Sequence, residues 1–393
     1  LAHYYQRPEV QDIADFVGDS LDLSRKAAAT DADVIVFCGV HFMAETAKIL
    51  SPRKTVLLPD RNAGCPMANM LTRRELLAFK AEHPGAAAVA YVNCSAEIKA
   101  EVDICCTSAN AVNVVKSIPA DKRILFMPDQ SLGDYIRRTT GRAMVLWPGF
   151  CPTHHRFLNR DVVELRAAHP EAKVCVHPEC TRDIVDLADF VGSTSQILKF
   201  CHDSPAREFI VGTETGILHP LQQRNPDKTF YPLSDLGWCS NMKLITLEKI
   251  LWALEDDQFA IEVEESVRIR ALQAVERMIA IIQRELTASQ QRGAIDPHFV
   301  DAAVDFIRTY ADRTHHGKEE DILFRECARK ELSADDQRVM QELLDEHVTG
   351  RQTTAALVAA NERYRHGETA ALADIVTQLS VLASFYPVHI AKE

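Results

Sequence analysis

Short apolar runs alternate with helix-like stretches from residue 1 to about residue 250, and this alternation most constrains what the chain can fold into. The runs are rich in β-branched residues and are followed by turns or helix starts, which indicates buried strands. They include DVIVFCGVHF, AAVAYVNC, RILFMPD, AMVLWPGF, KVCVHPEC and EFIVGTE. Buried strands that alternate with helices predict parallel α/β sheets.

One strand-and-helix pattern occurs three times. The segment ADFVGDS at 14–20 returns as ADFVGST at 188–194, with VDICCTS at 102–108 between them. Each copy ends in a hydroxyl residue, and a polar residue lies 15 or 17 positions upstream at a predicted strand end. The hydroxyl residues are Ser20, Ser108 and Thr194, and the polar ones are His3, Asn93 and His177. The hydroxyl residues are 88 and 86 positions apart, a period too long for a solenoid repeat. It therefore predicts three α/β three-layer subdomains, related by a pseudo-threefold axis, around a central site.

Three of the eleven cysteines share this period. Cys65, Cys151 and Cys239 are separated by 86 and 88 residues, and each follows an apolar or turn-like segment. Three similar subdomains bring equivalent loops to one point, and ligand sites of α/β sheets lie beyond the carboxyl ends of the strands. The spacing therefore favours three thiolates at one site, although a core cysteine copied with each repeat would give the same spacing.

A set of three thiolates suits an iron–sulfur cluster. A cubane cluster takes four ligands, so three cysteines leave one iron able to act as a Lewis acid on a substrate oxygen. Structural zinc is the competing metal, but it prefers a closed shell of four ligands with cysteines in CxxC spacing. The closest pair in this chain, Cys105 and Cys106, is adjacent and lies in an apolar run.

Composition argues against several classes of protein. The 393 residues carry 56 acidic and 44 basic side chains, and a net charge of −12 disfavours binding to nucleic acid or to an anionic membrane. The apolar runs all fall short of the roughly 18 residues of a membrane helix. Eleven cysteines without a secretory signature predict a reducing, cytoplasmic compartment, where a cysteine with a chemical task is a metal ligand or a nucleophile.

Several segments together resemble the quinolinate synthase family, the A protein of bacterial NAD biosynthesis, from residue 1 to about residue 283. They are AHYYQ, GVHFMAETAKIL, AGCPMA, YVNCSAEIKAEVD, TSANAV, HPEC, and FYPL followed by CSNMKLITLEKI. The resemblance implies three α/β domains around an oxygen-sensitive [4Fe-4S] cluster. It also implies condensation of iminosuccinate with dihydroxyacetone phosphate to quinolinate, with loss of water and phosphate. An aspartate oxidase or dehydrogenase would then supply the iminosuccinate.

The resemblance also assigns residues to that site. Cys65, Cys151 and Cys239 match the cluster ligands. The residues that match the substrate pocket are His3, Ser20, Tyr91, Asn93, Ser108, His177, Glu179 and Thr194, with Tyr5 and His154 near the reacting centre. Family members have a further segment before the position of His3 that completes the first domain, so we expect His3 to be poorly held. The CxxC that some members carry at the third ligand is replaced here by DLGW before Cys239.

The residue types suit this chemistry. Hydroxyls near helix starts can donate hydrogen bonds to carboxylates and phosphate, while imidazoles and an amide can orient carbonyl oxygens. Condensation and ring closure need proton transfer, for which Glu179 in HPEC is the first candidate, assisted by His177 and Tyr5. The alternative is that HPEC forms only a turn at a strand end, since the residue before proline favours extended backbone.

The last part of the chain is predicted to be a separate all-α four-helix bundle, residues 286–393, after an α/β region at 1–285. Its candidate metal ligands are His316, Glu320, His347, His389 and Glu393. Two of these His/Glu pairs are four residues apart, a spacing that forms metal sites inside bundles but also occurs on solvated helices. The segment resembles the hemerythrin-like HHE cation-binding family, which implies non-haem iron used for sensing or storage.

The predicted iron site is incomplete. Leu272 occupies the position at which the EHRxIERM pattern would place a histidine, and His315 and His366 are the alternative ligands.

Two other functions of the whole chain stay open at this point. One is an Fe–S hydro-lyase that acts on another hydroxy acid. The other is a sensor in which the helical tail binds oxygen or iron and the α/β region responds.

Overall fold

The computed structural model describes residues 1–30, 32–275, 277, 300, 304 and 334–390. The chain divides into two compact units. The first consists of Leu1–Ala27 with Asp33–Ile279, and the second of Ala28–Ala32 with Ala280–Glu393. The predicted domain boundary between residues 285 and 286 lies outside the described residues.

The first unit repeats one parallel four-strand arrangement three times. Its strands are β1 Ala2–His3, β2 Val17–Gly18, β3 Val34–Val36, β4 Thr55–Leu57, β5 Ala87–Tyr91, β6 Ile104–Cys106, β7 Ile124–Met127, β8 Met144–Leu146, β9 Lys173–Val176, β10 Phe190–Val191, β11 Glu208–Gly212 and β12 Thr229–Pro232. The second and third sheets have the orders β6-β5-β7-β8 and β10-β9-β11-β12. In the first repeat a parallel bridge between Ala2 and Cys38 joins β1–β2 to β3–β4, which gives the equivalent order β2-β1-β3-β4.

The strand registers follow from burial. In β5 every residue except the first is buried, and Val89 lies opposite Ile104 of β6 and Phe126 of β7. In the third repeat Ile210 of β11 lies opposite Val174 of β9. Such near-continuous apolar strands are typical of parallel sheets covered on both faces. The predicted set of three α/β subdomains is therefore confirmed.

Helices connect the strands. They are α1 Pro8–Asp12, α2 Ser20–Ala29, α3 His41–Leu50, α4 Arg73–Glu82, α5 Ala96–Lys99, α6 Ala111–Ser117, α7 Gln130–Thr140, α8 Asn159–Ala168, α9 Arg182–Val185, α10 Thr194–Asp203, α11 Leu218–Arg224, α12 Leu247–Asp256 and α13 at 265–275. Several begin at side-chain caps. Thr72 and Glu75 form a capping box at α4, and Ser193 and Gln196 form one at α10, which satisfies backbone N–H groups that the first turn leaves unpaired.

The described part of the second unit is helical, as predicted. It contains α14 Ala334–Arg365 and α15 Ala371–Ile390, whose apolar faces pack together. The buried core of this unit includes Leu357 and Ala360 from α14 and Ile375, Leu379 and Leu382 from α15. No helix within the described ranges is both long and apolar enough to cross a membrane.

Candidate active site

One cavity in the first unit lies at the carboxyl ends of strands from all three repeats and encloses about 980 Å³, part of it open to solvent. This is the edge at which parallel sheets present their ligand sites. The sequence-predicted residues that line it are His3, Tyr5, Ser20, Cys65, Tyr91, Asn93, Ser108, Cys151, His154, His177, Glu179, Thr194 and Cys239. The structure therefore brings all thirteen to one place, while the role of each stays a prediction.

The three cysteines have the same local structure. Each precedes by three residues a short 3-10 turn, at Ala68–Met70, His154–Arg156 and Met242–Leu244. The N–H of the first residue of each turn is directed at the cysteine sulfur. Cys65, Cys151 and Cys239 are partly exposed, whereas the other seven cysteines within the described ranges are buried. The repeat therefore copies a sulfur-presenting turn and not merely a core residue.

The three thiols are costly to ionise without a metal. Burial raises the pKa of Cys65 to about 12, and it raises the pKa of Cys151 and Cys239 above the ordinary value. The backbone N–H groups act in the opposite direction, because a donor pointed at sulfur favours the thiolate. Thiolates bind metals and thiols do not. The turn N–H groups therefore favour the thiolate form, which the three sulfurs would adopt when a bound cation displaces their protons.

Glu179 lies at the centre of the polar wall of the cavity. Its carboxylate accepts a hydrogen bond from the Tyr91 hydroxyl at 2.7 Å and contacts His154 Nδ1 at 2.9 Å. The His154 ring stacks on His177 with centroids 4.9 Å apart. The same imidazole lies 3.2 Å from Cys151 Sγ, so a series of ionisable side chains leads from Cys151 to the buried carboxylate of Glu179. Cys151, His154 and Glu179 also bring one metal-binding atom each within 4.8 Å of the others.

Burial and charge set the protonation states here. Burial alone would raise the pKa of Glu179, but His154, His177 and the Tyr91 hydrogen bond outweigh it, and the pKa lies below its usual range. Burial lowers the pKa of His177 to about 3 and that of His3 to about 4. At neutral pH the Glu179 carboxylate is therefore ionised, and the imidazoles of His3 and His177 are neutral.

Thr213 is a site residue that sequence reasoning missed. It follows β11 directly, is buried, and its hydroxyl lies 2.6 Å from the Tyr5 hydroxyl and 2.8 Å from His154 Nε2. The Tyr5 hydroxyl also lies 2.9 Å from Thr194 Oγ1. Thr213 thus joins Tyr5 to the His154–Glu179 chain. Its place at a strand end was the available signal, but this threonine lies outside the repeated positions.

The hydroxyl and polar residues that recur in the three repeats also line the cavity. Ser20 and Thr194 are the first residues of α2 and α10, and the Ser108 hydroxyl lies 3.3 Å from His177 Nε2. The buried Oδ1 of Asn93 has no hydrogen-bond partner among the described residues, which leaves an acceptor ready for a ligand donor.

The expectation that His3 is poorly held is wrong. Its side chain is only 3% exposed, its N–H donates to the Cys38 carbonyl at 2.9 Å, and its Nδ1 accepts the Tyr5 N–H at 3.1 Å. Pairing of β1 with β2 and the bridge from Ala2 to Cys38, just after β3, fix the position of the histidine. His177 repeats this arrangement, with the Glu179 N–H donating to its Nδ1 at 3.3 Å.

The predicted metal ligands of the tail are placed only in part. His347 is fully buried on α14, and His389 lies on α15. His366 is exposed just after the end of α14, which makes it a poor substitute ligand. Leu272 on α13 packs against an apolar cluster and supplies no ligand there. His315, His316, Glu320 and Glu393 lie outside the described residues.

Comparisons with known proteins agree with both units. The profile of the family "Quinolinate synthetase A protein" matches residues 1–280, and that of "Hemerythrin HHE cation binding domain" matches residues 273–393. A quinolinate synthase of Desulforudis audaxviator (strain MP104C) is 59% identical over 281 residues, which cover 72% of this chain and 93% of the relative. Quinolinate synthase 1 of Methanosarcina acetivorans is 53% identical over 281 residues, covering 72% and 92%. A quinolinate synthase of Dehalococcoides mccartyi (strain CBDB1) is 53% identical over 282 residues, covering 72% and 93%.

These relatives are matched along nearly their whole length by the first unit. The second match begins at residue 273 and overlaps the first by a few residues, which places the shared stretch at α13 and just beyond it. The chain therefore belongs to the quinolinate synthase family, enzymes of NAD biosynthesis, and carries a C-terminal hemerythrin HHE domain.

Proposed function

We propose that the first unit condenses iminosuccinate with dihydroxyacetone phosphate to quinolinate, with loss of water and phosphate, at a [4Fe-4S] cluster held by Cys65, Cys151 and Cys239. The observation that carries the proposal is the threefold copy of one sulfur-presenting turn, all three copies opening on one cavity. Three sulfurs fit a cubane cluster with one iron lacking a protein ligand. When bound, the cluster supplies a Lewis acid for a substrate oxygen.

In the proposed mechanism, residues at the carboxyl ends of the strands and at the helix starts bind the substrates. The two substrates carry carboxylates and a phosphate, which need several donors in a confined space. Ser20, Ser108 and Thr194 supply hydroxyls beside helix starts, where charge-assisted hydrogen bonds to anions are strong. The neutral rings of His3 and His177 supply N–H donors that orient carbonyl oxygens without adding net charge.

In the proposed mechanism, protons are transferred through the hydrogen-bonded side chains around Glu179. An ionised carboxylate accepts a proton, and the hydrogen-bonded His154 and Thr213 extend the path to the Tyr5 hydroxyl. Burial raises the pKa of Tyr5 well above its usual value, so the phenol stays protonated and acts as a donor. Groups with such different proton affinities, held within hydrogen-bond reach, suit acid–base steps at enamine and hydroxyl carbons.

The proposal is tested by an anaerobic assay. The chain, with iron and sulfide counted, is supplied with iminosuccinate, dihydroxyacetone phosphate or both, and quinolinate is measured. We expect about four sulfides per chain and product only when both substrates are present. A cluster-loaded chain that makes no quinolinate from this pair, or an active chain that holds zinc alone, would contradict the proposal.

Replacing Thr213 with valine is expected to lower kcat about tenfold, the scale of two lost hydrogen bonds. The change keeps the volume and removes the hydroxyl that links Tyr5 to His154. The same anaerobic assay measures it, with cluster content as a check. Thr229→Val on β12, where the threonine is exposed, is the matched control and should keep the parent rate. An unchanged kcat in Thr213→Val would remove Thr213 from the proton path.

For the second unit we propose a non-haem iron site of unequal occupancy, held by His316, Glu320, His347, His389 and Glu393. What supports it is the fully buried His347 on α14 together with the family match. Leu272, where the pattern expects a histidine, packs against apolar residues, so one ligand of the full set is missing. A missing ligand weakens one of two metal positions more than the other. The boundary with the first unit is proposed between residues 285 and 286.

Iron titration of the full chain, in a background in which Cys65, Cys151 and Cys239 are serine, is expected to show one site at least about tenfold weaker than the other. His347→Gln should lower the tight iron content, because its ring is buried in the unit. His366→Asn, at an exposed position, is the control and should leave it unchanged. Two equal, tight irons with an oxo-bridged spectrum would contradict this expectation.

The chain needs a supply of iminosuccinate, and we propose an aspartate oxidase or dehydrogenase as the partner enzyme that makes it. We also propose a reducing, cytoplasmic compartment, because eleven cysteines and an iron–sulfur cluster are suited to one.

A further inference from the structure

A buried ion pair lies directly behind the third cluster cysteine. Lys243 Nζ is 2.9 Å from Glu214 Oε1, and the side chains are 3% and 1% exposed. The same Oε1 accepts the backbone N–H of Cys239 at 3.0 Å. The other carboxylate oxygen accepts the Gly216 N–H at 2.7 Å, so Glu214 is fully engaged. Through this carboxylate, Lys243 is tied to the loop that presents the Cys239 sulfur.

The other contacts of Lys243 lead to the segment that follows β1. Its Nζ donates to the backbone carbonyls of Tyr5 and Gln6. Its own carbonyl accepts a hydrogen bond from Arg7 Nε at 3.0 Å. Residues 5–7 follow β1 and carry the Tyr5 phenol into the cavity. One ammonium group therefore bonds both the segment that holds Tyr5 and the carboxylate that holds Cys239.

Net stability is a poor explanation for this pair. Burial lowers the pKa of Lys243 and raises that of Glu214, so each charge is costly to bury without the other. Replacing a buried ion pair by apolar residues is often neutral or stabilising, because desolvation offsets most of the attraction. The pair instead fixes positions, since the hydrogen bonds of its charged groups hold several backbone atoms in place at once.

We propose that the Lys243–Glu214 pair is a positioning device that holds the Tyr5 phenol in fixed relation to the Cys239 sulfur. The inference rests on the proposed function for the tasks of Tyr5 and Cys239. Neither Lys243 nor Glu214 is assigned a proton transfer, and both act through the groups they hold.

A neighbouring glycine gives independent access to the pair. A Cβ at Gly216 would lie 2.8 Å from both Glu214 Oε2 and Lys243 Nζ, and 2.9 Å from the Gln6 carbonyl. Gly216→Ala therefore crowds the pair without removing either charge. The double variant Glu214→Gln/Lys243→Met removes both charges together and avoids leaving one buried charge unpaired.

The first measurement uses the full chain without its cluster and needs no turnover. Cys65, Cys151 and Cys239 are alkylated with iodoacetamide under anaerobic conditions, and each site is followed by peptide mass spectrometry. In the double variant we expect Cys239 to react at least about fivefold faster, the scale of one charge-assisted hydrogen bond lost with the Lys243 ammonium group. Cys65 and Cys151, held by other loops, should react at the parent rate. This outcome is independent of which reaction the enzyme catalyses.

The second measurement uses the cluster-loaded enzyme. The double variant is expected to hold the parent amount of iron and sulfide and to lose about tenfold in kcat, while KM changes less than about twofold, because misplaced groups slow chemistry more than binding. Neutralising the exposed Lys199–Asp203 pair on α10, as Lys199→Met/Asp203→Asn, is the matched control and should change nothing.

Two results would overturn the inference. One is an unchanged alkylation rate at Cys239 in the double variant. The other is an equal rise at all three cysteines, which would mean general loosening and not local positioning. If the double variant does not fold, Gly216→Ala is subjected to the same two measurements, with the same direction expected at Cys239 and the same results counting against the proposal.

Discussion

Replacing Cys151 with serine is expected to leave the chain without a [4Fe-4S] cluster and to abolish quinolinate formation. Three protein sulfurs already leave one iron without a protein ligand, so two sulfurs are too few to retain the cubane. The Cys151 sulfur also lies 3.2 Å from His154 Nδ1, so the substitution disturbs the proton path as well. Iron and sulfide counts after anaerobic reconstitution, followed by the quinolinate assay, measure both effects.

Equivalent losses are expected for Cys65→Ser and Cys239→Ser, because all three cysteines precede the same turn. Controls come from cysteines of the same unit that lie outside the cavity. Cys38 and Cys201 are buried in apolar cores, and Cys38→Ala and Cys201→Ser should keep the cluster and most of the activity. A full cluster and a normal rate in Cys151→Ser would contradict the proposed set of three cysteine ligands.

The repeated architecture could be predicted from sequence because strands buried in parallel sheets appear as short, nearly continuous apolar runs. The run AAVAY became β5, with all but its first residue buried, and KVCV became β9. The first repeat was harder to delimit, since β1 and β2 have two residues each and depend on pairing with distant segments. Pairing across the chain also explains why His3 is well held, which the sequence beside it does not reveal.

The candidate site was predictable where the repeat marks it. The tip residues and the three cysteines recur at one period, so their meeting at one cavity followed from symmetry. Thr213 and the Lys243–Glu214 pair were missed because their importance lies in their partners. Thr213 joins a tyrosine 208 residues away to a histidine 59 residues away, and Lys243 reaches the Tyr5 carbonyl across 238 positions. Such contacts exist only in the folded chain.

Glu179→Gln is expected to lower turnover by roughly 100-fold or more while leaving the cluster intact, the usual scale for a positioned acid–base group. The substitution keeps the shape of the side chain and its capacity to accept the Tyr91 hydrogen bond at 2.7 Å. It removes the negative charge that lies 2.9 Å from His154 Nδ1. In the proposed site the three cysteines alone hold the cluster, so iron and sulfide counts should match the parent.

The loss should be nearly constant across the neutral range. The pKa of Glu179 lies below its usual range and that of His177 is about 3, so neither group changes its charge near neutrality. Rates of the variant and parent are therefore compared at pH values of about 6, 7 and 8, a window in which an unperturbed histidine would titrate. Glu208→Gln, on β11 with a side chain 39% exposed, is the matched control and should keep the parent rate. Near-normal turnover in Glu179→Gln would remove the carboxylate from proton transfer. A loss that vanished at one end of the pH window would assign the titrating role to another group, because a carboxylate held ionised throughout cannot produce it.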